Sequence, residues 1–213
     1  MNTSFKIVLG AIAITASPLA AQSFSVGLRG SGSIPTGSFS QTPTATANAN
    51  TVLIEGAKSG FGYGLDVALG LGAVALYAGF DHVKFDCEES TCRNDGKYTL
   101  QGVTAGVKLS PSIGTMFHPF AKAGVTFNDL EGSYGGSSTN TLTTERTPGY
   151  EIGVGADITL GGIFAFTPQA RYVGQELKAK LPGINAPTAS GQGVNYFSFD
   201  LGFSVRTPFG AGK

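Results

Sequence analysis

The sequence predicts an all-β protein: an eight-stranded antiparallel up-and-down transmembrane β-barrel, with long loops at one end and short turns at the other. Three observations carry that reading. Segments of about ten residues with period-two alternation recur along the chain, the length a tilted strand needs to cross a bilayer. The connections between them alternate long and short, as a chain that runs up and down a ring of strands requires. Within the segments, charge is confined to one face, while the other is apolar with aromatics gathered toward its ends.

Composition sets the frame. A length of 213 residues fits one domain. Charged residues are 13% of the chain, about half the usual share, and the formal net charge is zero. That excludes a basic nucleic-acid-binding surface and an acidic disordered chain. Glycine, at 32 residues, is about twice its ordinary frequency of roughly 7%. The first residues, MNTSFKIVLGAIAITASPLAAQ, place Lys6 before an apolar run from Ile7 to Ala16 and small residues before a cleavage point after Ala21. Residues 1–21 therefore read as a secretory signal peptide, and residues 22–213 as the barrel domain. The apolar run is too short for a spanning helix of about 20 residues, so membrane residence must be by strands.

The first strand, SFSVGLRGS, sets Phe24, Val26 and Leu28 against Ser25, Gly27 and Arg29. A long polar connection, SIPTGSFSQTPTATANANTVLIEGAKS, leads to the second, GFGYGLDVALG, with Leu65 and Val67 opposite Gly64 and Asp66. Only Gly70 to Gly72 separate it from the third, AVALYAGFDHV, where Leu76 and Phe80 oppose Tyr77 and Asp81. The loop holding Cys87 and Cys92 leads to the fourth, YTLQGVTAGVKL, in which Val103 and Val107 oppose Thr104 and Lys108. Tyr98 and Leu100 are out of phase with its apolar set, which predicts a bulge or an extension beyond the membrane there.

A short SPSIG turn gives the fifth strand, PFAKAGVTFN, with Ala121 and Val125 opposite Lys122 and Thr126. The connection LEGSYGGSSTNTLTTERT reads as a loop. The sixth and seventh strands, GYEIGVGADITL and IFAFTPQARYV, are joined by Gly161 and Gly162. A register centred on Gly161 sets Glu151 opposite Arg171, and Tyr150 opposite Tyr172. A second long loop, GQELKAKLPGINAPTASGQG, precedes the eighth strand, NYFSFDLGFSVRTPF, where Phe197 to Val205 alternate with Ser198 to Arg206. An even strand number puts both termini at the short-turn end.

The polar faces together carry Arg29, Lys108, Lys122, Arg171 and Arg206 against Asp66, Asp81, Glu151, Asp157 and Asp200. In lipid each Arg or Lys near the midplane would cost about 2–4 kcal/mol, whereas facing inward these groups can pair in an ion-pair network. An eight-stranded interior is just wide enough for side chains to fill, and neighbouring glycines leave room for long ones. On the apolar face, Phe61, Tyr63, Phe80, Phe127, Tyr150, Tyr172, Phe197 and Phe199 gather toward the long loops, and Phe24, Phe164 and Phe203 toward the turns. These two bands fit interfacial girdles. The alternative is a secreted soluble barrel of lipocalin type with the greasy face inward. Its outer surface would be rich in glycine and poor in charge, and its interior could not hold the phenylalanines plus a ligand. Cys87 and Cys92 read as a disulfide stapling a loop tip, worth about 2 kcal/mol by loop-closure entropy, with two surface thiols as the alternative.

The mature chain resembles the eight-stranded outer-membrane β-barrel family of OmpA/OmpX type. The local patterns are PTGSF at 35–39, EGAKSGFGYGLDV at 55–67 and TPQARYV at 167–173. The resemblance implies the outer membrane of a Gram-negative-type bacterium, extracellular long loops and periplasmic turns. It also implies a terminal aromatic read by the outer-membrane assembly machinery. Here Phe209 is followed by GAGK, and Pro208 is expected to interrupt the last ladder. The expected role is structural or surface interaction, in envelope integrity or adhesion through the loops. A lipid-modifying enzyme is the first alternative, but His82 and His118 fall at opposite strand ends and cannot share a site. A narrow, low-conductance channel is the second. The expected partners are outer-membrane lipid, the assembly machinery, and an extracellular ligand or surface. No phosphate loop, metal-ligand cluster or basic patch appears, so no cofactor, metal, catalytic residue or nucleic acid is expected.

Overall fold

The computed structural model describes residues 22–41, 54–88, 96–111, 116–133, 141–180 and 192–208. The expected signal peptide, Cys92 and the chain from Phe209 lie outside them. Eight long strands form the ring: β1 (Gln22–Thr36), β2 (Ala57–Leu71), β3 (Val74–Cys87), β4 (Lys97–Leu109), β5 (Phe117–Ser133), β7 (Thr147–Gly161), β8 (Phe164–Lys180) and β9 (Gln192–Pro208). A short strand, β6 (Thr141–Glu145), lies between β5 and β7 in sequence and pairs with β5 and β8. All pairings are antiparallel, each long strand with its ring neighbours, and β9 returns to β1. Closure removes the exposed strand edges an open sheet would carry.

Period-two alternation dictates the two surfaces. Leu65, Val67, Leu76, Val103, Val154 and Leu201 are exposed on the outside, while Arg29, Lys122, Glu151, Arg171 and Asp200 are buried within. An apolar belt this continuous suits hydrocarbon rather than water. Replacing Leu201, midway along β9, by arginine is expected to cost about 2–4 kcal/mol, against about 0–1 for Glu131→Arg near the rim. Urea unfolding of the refolded protein in lipid vesicles reads the difference.

The strands are longer than expected, at 13 to 17 residues. Their additional residues lie mostly at the long-loop ends and continue into segments that read as loop: Gly32–Thr36 in β1, Leu130–Ser133 in β5, Gly174–Lys180 in β8. The polarity of the two faces inverts there. Lys58, Lys84, Asp86, Lys97, Glu131 and Glu176 point outward and are exposed. Val83, Phe85, Tyr98, Leu100, Leu130, Val173, Leu177, Val194 and Tyr196 are buried inward, joined by Ile54 and by Phe39 from the 3-10 turn Gly37–Ser40. Where lipid ends, water solvates the outer face and the hydrophobic effect acts inward, as in a soluble barrel. Tyr98 and Leu100 thus belong to an extension. The pairings of β4 with β3 and β5 run without a bulge.

One local expectation is corrected. The β7–β8 ladder is offset by two residues, with Glu151 opposite Val173 and Tyr150 opposite Gly174, because a register irregularity between Thr159 and Gly161 moves the turn along the chain. An offset of two keeps every side chain on its face, so Tyr150 and Tyr172 still meet diagonally, with ring centroids 6.1 Å apart. Gly162, at φ 58°, takes the left-handed backbone this tight turn needs. The ladder of β9 with β1 ends at Pro208, the last of the described residues, which lies opposite Ser23. At the third strand's end, Cys87 is disulfide-bonded.

Candidate functional site

Two groups of ion pairs fill the lumen. The deep group centres on Arg171 of β8, whose guanidinium meets Asp200 of β9 at 2.5 Å, Glu151 of β7 at 2.7 Å and Asp81 of β3 at 3.1 Å. In the ring order, β3 stands opposite β8, so the Arg171–Asp81 pair crosses the lumen. Arg29 of β1 joins Asp81 at 2.8 Å and also pairs with Asp66 of β2. Lys122 of β5 reaches Glu151 at 2.9 Å. The second group lies toward the short turns, where Asp157 accepts from Lys108 and Arg206, each at 2.7 Å, and from the Thr167 hydroxyl at 3.0 Å.

All ten charged residues singled out in the sequence therefore lie in these two groups. Their pairing runs beyond neighbouring strands: Arg29 and Arg171 both reach Asp81 of β3, and Lys108 and Arg206 both reach Asp157 of β7. Asp200 has a cation on each neighbouring strand, Arg29 on β1 and Arg171 on β8; Arg171 holds it, and Ser198 donates to it at 2.6 Å. Tyr77 is a member that charge counting missed. Its hydroxyl donates to Glu151 at 3.0 Å, and the Lys122 ammonium lies 5.0 Å from its ring centroid. The available signal was a tyrosine on the glycine-rich inward face. Two glycines make this crowding possible. A Cβ at Gly64 would stand 2.8 Å from the Arg29 guanidinium, and one at Gly124 would stand 2.6 Å from the Tyr77 hydroxyl.

Above the deep group sits the buried apolar cluster. Phe85 makes edge contacts with Phe39 and Tyr196, at centroid distances of 5.2 and 5.3 Å. Tyr98 donates its hydroxyl to the Glu55 carbonyl at 3.0 Å. On the rim, Arg146 pairs with Asp129 at 2.5 Å, and Gln101 donates to the same carboxylate at 3.2 Å. The two histidines are far apart in role as well as place. His82 stacks on Tyr63 at 5.1 Å on the outer face, while His118 lines the mouth of the lumen beside Gly72 and Ser110.

The arrangement closes the lumen with a guanidinium bound from both sides of the ring and an apolar plug above it. Solved structures share the barrel fold. Neisserial surface protein A matches with a TM-score of 0.59 at 12% identity, over 85% of this chain and 96% of that one. Outer membrane protein AlkL, solved in DMPC lipid bilayers, matches with a TM-score of 0.54 at 13% identity over 100% of both chains. Ail, the attachment invasion locus protein of Yersinia pestis in complex with the heparin analogue sucrose octasulfate, matches at 0.50 and 15% identity, over 88% and 99%. At these identities the likeness is one of fold. No curated protein matches the sequence significantly. The family described as outer membrane protein beta-barrel domain matches residues 7–206. The chain belongs to that family, and its place is the outer membrane of a Gram-negative-type bacterium.

Proposed function

We propose that this is a structural and surface-interaction protein, whose barrel anchors extracellular loops that serve envelope integrity or adhesion. The observation that carries the reading is the closed lumen, with Arg171 bonded to carboxylates on β3, β7 and β9 beneath an apolar plug. A filled interior leaves the rim as the working surface. The connecting segments at that end are rich in Thr, Ser, Asn, Ala and Gly, which suits a polar surface exposed to water. The wide separation of His82 and His118 favours this role over a hydrolytic one.

Protease added to intact cells is expected to cleave the long connections and leave the strands as protected fragments. Full protection on intact cells, with cleavage only after the envelope is opened, would reverse the orientation and defeat the proposal. In planar bilayers the refolded protein is expected to show no large steady conductance, because ion pairs and side chains occupy the lumen.

A further inference from the structure

We propose that the short-turn half of the lumen is a binding site for a small free oxyanion of the phosphate class. Two adjoining cavities form it, with water-accessible space of about 70 and 140 Å³, sharing Lys108, Asp157 and Arg206 as common wall. The outer one opens past the turn residues Gly72 and Ala73. Together they have room for a few waters or one small ion.

The charge of this half is one-sided. The inner cavity is lined by four cations, Arg29, Lys108, Lys122 and Arg206, against two anions, Asp66 and Asp157. Arg29 and Lys122 spend their charge upward, on Asp81 and Glu151 as well as Asp66. Lys108 and Arg206 are left sharing the single carboxylate of Asp157. One positive charge is therefore uncompensated in a recess where the Lys108 side chain is 17% exposed. A second observation is independent of that count. Arg29, 3% exposed and part of the cavity wall, has a buried Nε with no hydrogen-bond partner among the described residues. A buried donor of this kind calls for an acceptor.

The donors specify the ligand's chemistry. Arg206 engages Asp157 through Nη2, which leaves the rest of its planar fork for an oxyanion, and Lys108 supplies a point charge beside it. Ser25 and Ser204 line the same wall with hydroxyls. The cations repel a metal ion. The ion is a soluble one, because the wall lies within the strand ring and not on its lipid face.

The test uses the full mature chain refolded in maltoside micelles, which carry no phosphate, with heat-modifiable gel migration checking that each variant is folded. Sodium phosphate is titrated against sodium chloride at equal ionic strength while the NMR signals of Lys108 and Arg206 are followed. Saturable shifts with phosphate alone are expected, and Arg206→Gln should weaken binding about tenfold or more by removing a charge-assisted contact. Asp157→Asn removes the competing carboxylate and should tighten it. Arg206, half-exposed at the strand end, keeps the test open if Asp157→Asn does not fold. Equal shifts in chloride, no saturation, or an unchanged response in Arg206→Gln would overturn the proposal. So would shifts produced by phosphatidylglycerol in the micelle without free phosphate.

Discussion

Arg171→Leu is expected to destabilise the barrel by about 3–5 kcal/mol, enough to lose the heat-modifiable folded form under mild conditions. The side chain is fully buried, and its three carboxylate partners are 8% exposed or less. Removing the cation strands three negative charges within one lumen, with Lys122 and Arg29 alone to answer Glu151 and Asp81. Arg171→Lys is expected to recover little. An ammonium is a point charge, whereas the guanidinium presents separate donors to β3, β7 and β9 at once. Arg146→Ala serves as the comparison. Its pair with Asp129 is over half exposed on the arginine side, and its loss should cost about 0–1 kcal/mol. Urea unfolding in vesicles measures all three. An Arg171→Leu variant as stable as the parent would mean that water, and not the guanidinium, solvates these carboxylates.

Phe85→Ala is expected to cost about 3–5 kcal/mol, while Phe199→Ala on the same ring should cost much less. Both are phenylalanines on alternating strands, and their surroundings decide the difference. Phe85 is 0% exposed and wedged between Phe39 and Tyr196, so truncation leaves a cavity that side chains held by the closed ring cannot collapse to fill. Phe199 is 57% exposed on the outer belt, where a mobile lipid chain fills the space. The same unfolding measurement separates them. Equal losses would contradict the inverted polarity of the strand extensions.

Those extensions show why part of the fold was illegible in the sequence. Ring, strand order and face assignment follow from local alternation, and residues such as Leu65, Asp66 and Val67 declare their sides without reference to any other strand. In the extensions Glu131 of β5 and Glu176 of β8 point outward and are charged, because they meet water, and the pattern that marks a lipid-crossing strand reverses. A search for one continuous greasy face therefore ends each strand at the membrane surface. The β7–β8 offset was hidden for a different reason: one irregularity beside Gly161 shifts every pair by two while leaving each face unchanged.

The sequence by itself determined that Arg29, Asp81, Arg171 and Asp200 face the lumen, since successive Cβ atoms point to opposite sides of any strand. Only the tertiary structure decided that Arg171 reaches across to Asp81 while taking Asp200 from Arg29. Contacts across a lumen depend on how far each strand is staggered as the ring closes, and closure is a property of all eight long strands together.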